Sequence, residues 1–354
     1  MNFVQRIFHR PFFIRLFNWE YWSFNAVYIW IYPIWVFLCI RARSFFFFSA
    51  ANPRIVNGGF LNESKKDIHD MLPRRLYPKT IHFSLPSNPD FVIQQLQEKG
   101  LSFPLIGKPD VGGRGRGVKA LKNENDVRNY VKNCFLDFHI QEYVAYKNEV
   151  GIFYHRYPGE SMGKLTGIVK KEFLTVTGDG RRSIRELLKS DRRAIMYLGS
   201  MENIHGSGLD TVLPENEKRI VSPYGNHARG SKFLDDSKLI DEELTAMVDG
   251  ICRQIPEFYY GRMDVRYNTW EELKQGKNFT IIEVNGAGSE PTHMYDPDHS
   301  LFFAWKEIVR HWVILWRISR MNHKRGHRYL TVKEGLQMFR EDKMYAQKLA
   351  AMPE

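Results

Sequence analysis

Between Trp19 and Ile40 the chain reads WEYWSFNAVYIWIYPIWVFLCI, twenty-two residues whose one charge is Glu20, near the edge. As a single helix the run would measure about 33 Å at 1.5 Å per residue, close to the ~30 Å hydrocarbon core of a bilayer. Tryptophan and tyrosine suit the bilayer interface, where an apolar ring and a polar tip are both accommodated. The preceding MNFVQRIFHRPFFIRLF sets Arg6, Arg10 and Arg15 among aromatic residues, the pattern of an interfacial helix. Arg41 and Arg43 follow the run, then Phe45 to Phe48. Basic residues on both sides give no clean orientation, and Pro33 leaves open a true span, a re-entrant helix or a surface-lying one. A buried core helix is the plainer alternative. A cleaved signal peptide is not expected, because the apolar run is long and no short basic segment leads into it.

The ends differ from the middle. Of the 50 aromatic residues in the 354, 18 fall in the first 50 positions. With 43% hydrophobic and 26% charged residues, the chain can bury real cores, and wholesale disorder is excluded. A formal net charge of +11 favours an anionic partner: nucleotide, nucleic acid or membrane surface. The basic residues are dispersed or tied to the ends, not interleaved with aromatics on a sheet, which argues against nucleic acid. Cys39, Cys134 and Cys252 are too few and too scattered for a disulfide framework or a zinc site.

Short apolar runs broken by Gly, Asn and Asp predict strands at 103–108, 139–144, 149–155, 167–172, 260–267 and 279–285. Helical spacing predicts helices at 124–134, 184–189 and 241–255. Without a strict strand–helix alternation, this mixture predicts an α+β architecture. From Trp305 to Arg328 apolar and basic residues alternate at helical spacing, as in a helix packed on the body or a second membrane-surface contact. Thr331 and Glu334 form a capping-box pattern opening a last polar helix.

Two motifs carry chemistry. In FPLIGKPDVGGRGRGV a strand ends in Lys108, and the following turn holds Gly112, Gly113, Arg114, Gly115 and Gly117. Glycines let backbone N–H groups approach phosphate oxygens, and arginines add positive charge; a flexible surface loop is the plainer reading. Then GRMDVRY and FTIIEVNGAG, joined by a polar segment with Gly276, predict an antiparallel hairpin. Arg262 and Asp264 share one face of their strand, and Glu283 and Asn285 one face of theirs. Pairing gathers three oxygen donors, Asp264, Glu283 and Asn285, beside Arg262. Such hard donors suit Mg²⁺, which fills its shell with water and phosphate. A structural ion pair from Arg262 is the alternative.

In their order along the chain, these residues resemble the ATP-grasp superfamily, above all its D-alanine–D-alanine-ligase-like and glutamate-ligase-like members, from about Lys65 to Pro297. The resemblance implies two α+β subdomains clamping ATP. It implies that Lys108 and residues 112–117 face phosphates, with Lys66 a weaker candidate and Lys170 or Lys171 a further one. It sets the Ile140–Val144 backbone, including Glu142 and Val144, against adenine, and Glu149 against ribose. It makes Asp264, Glu283 and Asn285 ligands of Mg²⁺, with Mn²⁺ as a substitute, and Arg262 the arginine that stabilises an acyl phosphate. YGNHARG resembles loops of glutamate-ligase-type members, where His227 or Arg229 would contact the transferred group. The glycine loop lacks the serines of authentic D-alanine–D-alanine ligases, which puts free D-alanine in doubt as substrate.

The implied activity is a membrane-associated, Mg-ATP-dependent carboxylate–amine ligase acting through an acyl phosphate on an amino-acid-like or lipid-linked substrate. Its catalytic body would face the cytoplasm, where ATP is found. The expected organisation is a membrane-associating segment over 1–54, a short region over 55–102, the ATP-grasp domain over 103–300 and a helical extension over 301–354. A small-molecule kinase using the same nucleotide site, and a nucleotide-binding membrane scaffold without catalysis, are the competing readings.

Overall fold

The computed structural model describes residues 10–113 and 115–352. Along the chain come α1 (Pro11–Phe17), α2 (Phe24–Tyr28), α3 (Tyr32–Ala42), α4 (Lys65–Met71), β1 (Thr80–Phe83) and α5 (Pro89–Glu98). Then follow β2 (Leu105–Pro109), β3 (Lys119–Leu121), α6 (Glu124–Asn133), β4 (Phe138–Glu142), β5 (Asn148–His155), β6 (Lys164–Glu172) and β7 (Leu174–Thr177). Next are α7 (Ile184–Ser190), α8 (Leu198–His205), β8 (Lys218–Ser222), β9 (Lys232–Asp235), α9 (Glu242–Cys252) and β10 (Tyr260–Tyr267). The chain ends with α10 (Trp270–Lys274), β11 (Phe279–Asn285), α11 (Leu301–Lys324) and α12 (Val332–Ala350). The mixed α+β class expected from the sequence is what forms.

Contacts divide the chain into two compact units: one takes the described residues up to Tyr32 with Val169–Asp236 and Thr292–Glu307, the other the remainder. In the larger unit, an antiparallel sheet has the order β1-β4-β2-β3. Its register alternates cleanly: Ile81, Phe83, Leu105, Phe138 and Ile140 turn to one face, under Val92 and Leu96 of α5 and Val127 and Tyr130 of α6. Gly107 is needed there, since a Cβ would lie 2.9 Å from the Tyr130 ring. Thr80, His82, Lys108, His139 and Gln141 turn to the other face, so one side of this sheet is built of polar groups.

A second sheet of the same unit runs β11-β10-β5. Val150, Ile152, Met263, Val265 and Ile281 bury one face against Leu244, Val248 and Ile251 of α9. Beneath the last helices, Phe46, Phe47 and Phe48 pack with Phe153, Ile314, Leu315, Ile318 and Met338. Of the Trp305–Arg328 segment, the residues up to Lys324 belong to α11, whose Trp312–Ile318 stretch packs into this core, and Thr331 and Glu334 cap α12 reciprocally as expected. In the smaller unit, the later half of β6 pairs with β9, and β7 with β8 over a core of Leu174, Ile184, Leu188, Met201 and Val221.

The continuous membrane helix does not form. Residues 19–40 break into a tight turn at Trp19–Tyr21, then α2, then α3, and no helix among the described residues is long and apolar enough to cross a membrane. The breaks have local causes. Ser23 caps α2 by accepting from the Ala26 N–H at 3.4 Å, and Pro33 sits in the first turn of α3, where its missing N–H costs nothing. Glu20 is tied into its unit by Arg193 at 2.7 Å and His227 at 3.0 Å. Trp19 donates to the His299 carbonyl at 2.8 Å, and Trp305 to that of Val27 at 2.8 Å. The interfacial pattern read across residues 1–17 falls mostly outside the described residues, which begin within it; Pro11–Phe17 is helical.

Candidate active site

The hairpin pairs Arg262 with Asn285 and Asp264 with Glu283 directly across the strands, so all four side chains share one face. The register is unbroken across these pairs, and a bulge follows directly, between Asp264 and Val265. Strict alternation would put Ile281 on the same side as Glu283, but the inserted residue turns Ile281 into the core opposite Val265. On the other side of β10, Gly151 lies opposite Asp264 and adds no side chain there.

Arg262 grips Asp264 with two hydrogen bonds, Nε at 3.0 Å and Nη2 at 3.2 Å. Asp264 is 3% exposed, so a charge there has to be paired. A buried nitrogen of the Asn285 amide has no partner among the described residues. Two carboxylates and an amide on one face fit a hard divalent cation. The two bonds from Arg262 mean that Asp264 would exchange its guanidinium for the ion.

Gly286–Gly288 follow Asn285 for a backbone reason. The turn at Gly58 and Gly59, both with positive φ (+69° and +74°), lies on them: Ala287 and Gly288 donate to the carbonyls of Gly58 and Gly59 at 3.0 and 2.8 Å. A Cβ on Gly59 would come within 2.6 Å of the Gly286 Cα. This turn delivers Glu63, whose Oε2 accepts from the Gly286 N–H at 3.1 Å. Burial, with the Glu283 charge nearby, pushes the Glu63 carboxyl up to about 7.

Lys108 stands on the polar face of the four-stranded sheet, 6% exposed. Its ammonium donates to Gln141 Oε1 at 3.2 Å and to the Ile282 carbonyl at 3.4 Å, both neutral acceptors. Gln141 is itself held by donating to Thr80 Oγ1 at 2.7 Å. Burial, then the neighbouring Lys65 charge, pulls Lys108 down to about 8. A desolvated cation with only neutral acceptors is a ready anion site. The Ile282 contact puts it beside Glu283.

The glycine loop begins at Asp110, which His139 holds at 2.7 Å and whose carboxylate accepts from the Lys66 N–H at 2.8 Å. Lys65 donates to the Gly112 carbonyl at 2.7 Å, and Tyr130 to that of Gly117 at 3.1 Å. Gly112, Gly115 and Gly117 all have positive φ, which only glycine adopts without strain. Arg114 lies outside the described residues. His82, Asp110 and His139 also bring three metal-capable atoms within 4.8 Å of one another, but Asp110 already serves α4 and the loop.

Other expected residues have these places. The Lys66 side chain turns to Asp70, and its neighbour Lys65 is the lysine that reaches the loop. Glu142 accepts from the Lys79 N–H at 2.8 Å, and the Val144 carbonyl accepts from Arg266 at 3.3 Å. Glu149 is buried and pairs with Arg266 at 3.2 Å. Lys170, Lys171, His227 and Arg229 lie in the smaller unit. Lys170 is half-exposed against Glu172 at 3.3 Å, and Lys171 is buried with its ammonium 6.0 Å from the Phe233 ring. His227 meets Glu20, and the Arg229 guanidinium lies 4.5 Å from the Tyr224 ring. Glu63 and Lys65 were not singled out from the sequence; only the Ser64 cap beside them hints at a helix start there.

No protein-family model and no curated protein matches the chain. Among solved structures, it is similar to D-alanine–D-alanine ligase from Bacillus anthracis complexed with ATP, at 13% identity and a TM-score of 0.43, over 74% of this chain and 68% of that one. It is also similar to N5-carboxyaminoimidazole synthetase from Staphylococcus aureus, at 11% identity and a TM-score of 0.40, over 73% and 54%. A bifunctional glutathione synthetase from Pasteurella multocida matches at 14% identity and a TM-score of 0.34, over 62% of this chain but only 32% of the synthetase. At these scores the likeness is partial.

Proposed function

We propose that the protein is an ATP-grasp carboxylate–amine ligase that spends ATP to activate a carboxylate as an acyl phosphate and passes it to an amine. One observation carries this reading: Lys108, buried against neutral acceptors, faces a hairpin on which Asp264, Glu283 and Asn285 share a side. A triphosphate would give Lys108 a charged acceptor in place of its neutral ones. Asp264, Glu283 and Asn285 would hold Mg²⁺, which adds positive charge where the transferred phosphoryl group gathers negative charge. With Asp264 so engaged, Arg262 is free to stabilise the acyl phosphate, and the glycine loop offers backbone N–H groups to phosphate oxygens. The amine must lose a proton, and Glu63, seated by the Gly286 N–H directly after Asn285, is the carboxylate we assign to accept it.

The test is incubation with ATP, Mg²⁺, hydroxylamine and a panel of amino-acid-like carboxylates. Hydroxamate and ADP should appear together, and Asp264→Asn or Glu283→Gln should abolish both. Full turnover in those variants contradicts the reading. A phosphorylated product formed without any amine would make the protein a kinase instead.

A further inference from the structure

Helix α3 is built inside out for a surface helix. Leu38 and Cys39, each 4% exposed, turn inward with Trp35 onto Phe47, Ile314 and Trp312. The opposite side, where polar residues would ordinarily lie, carries Val36, Phe37 and Ile40 at 47, 57 and 67% exposure, with Phe45 at 67% just beyond the helix. The same unit continues this character on α12: Val332, Leu336 and Phe339 stand out at i, i+4 and i+7 spacing. The two surfaces are joined by the Phe46 and Phe339 rings, 6.1 Å apart, and by Gly335, which lies against Phe46.

Charge says what covers this face. From Tyr21 to Asn62 there is no acidic residue, and α3 ends at exposed Arg41 and Arg43. A second copy on the same patch would bring like arginines to one shared rim. An anionic lipid surface meets both needs, taking the apolar side chains at the acyl boundary and the guanidinium groups at the phosphates.

We propose that this face, centred on Phe37, Ile40 and Phe45 with Arg41 and Arg43 at its rim, seats the protein on an anionic bilayer by interfacial insertion, without a span. The proposal goes beyond the ligase reading and stands or falls separately from it.

Vesicle flotation tests it, with phosphatidylcholine alone and with phosphatidylcholine containing a quarter phosphatidylglycerol. The wild-type chain should float with the anionic vesicles. Phe37→Asp with Ile40→Asp should lower partition on the order of a hundredfold, as expected from losing two large apolar side chains. Arg41→Gln with Arg43→Gln should lower it about tenfold and remove the preference for anionic lipid. Melting and ATP binding in lipid-free buffer report whether each variant folds, and Phe37→Ser with Ile40→Ser replaces the aspartates if it does not. Asp264→Asn should float like the wild type, which keeps this outcome apart from the nucleotide site. Undiminished flotation of folded Phe37 and Ile40 variants overturns the proposal. So does a wild-type chain that ignores vesicles, or that dimerises through Phe37 and Ile40 instead.

Discussion

At Lys108 stability and the proposed function pull in opposite directions. Its ammonium has been taken out of water and given only amide and carbonyl oxygens in return. Replacing it with methionine should raise the stability of the nucleotide-free protein by about 1–2 kcal/mol, since a buried cation whose hydrogen bonds go only to neutral acceptors is costly. The same change should remove most ATP affinity. Chemical denaturation and calorimetric titration check the two halves, and a destabilised Lys108→Met protein that still binds ATP contradicts this account of the residue. The lysine was legible in the sequence because it closes a strand before a glycine run. Glu63 was not, because what makes it notable is a turn that folds back on Gly286, more than two hundred positions away; nor was Lys65, whose reach to the Gly112 carbonyl depends on how α4 meets the glycine loop.

The hairpin was the most legible of the elements. Alternation alone put Arg262, Asp264, Glu283 and Asn285 on one face, and β10 and β11 run over the expected residues. The bulge that separates Ile281 from Glu283 was not visible, since nothing local marks a residue that fits both the core and the bulge. Residues 19–40 misled for a related reason. Hydrophobic run length is read as one helix, whereas the Ser23 cap and Pro33 punctuate it into short ones. The glycine turn offers a test at this scale. Gly59→Ala places a methyl against the Gly286 backbone at a left-handed φ, so neither strain nor clash can relax alone. A loss of about 2 kcal/mol or more in denaturant unfolding is expected, with activity falling as Glu63 and the 286–288 backbone shift apart. A neutral Gly59→Ala variant counts against the packed-turn account.

For the whole molecule, buried histidines set the acid limit. Burial, aided by Lys164 and Arg310, lowers His155 to about 4, and burial likewise lowers His139 to about 4. Both are neutral in the fold, while an unfolded histidine titrates near 6.5. Their contribution is therefore fully present above about pH 6.5 and is lost as pH falls towards 4, by about 2–3 kcal/mol for each at the limit. The melting temperature should drop across that window, and His155→Asn should flatten the drop. A curve that stays level from pH 7 to 4.5 contradicts it. Fold class followed from the mixture of strand and helix patterns. The division into two units did not, because each unit is assembled from segments far apart in sequence.

The central claim is that a buried lysine and a carboxylate hairpin make one Mg-nucleotide site. Calorimetric titration with ATP, with and without Mg²⁺, tests it most directly on the wild-type chain, Glu283→Gln and Lys108→Met. The account predicts Mg²⁺-strengthened binding by the wild type, weak and Mg²⁺-indifferent binding by Glu283→Gln, and almost none by Lys108→Met. Equal, Mg²⁺-indifferent affinity in all three proteins would contradict it.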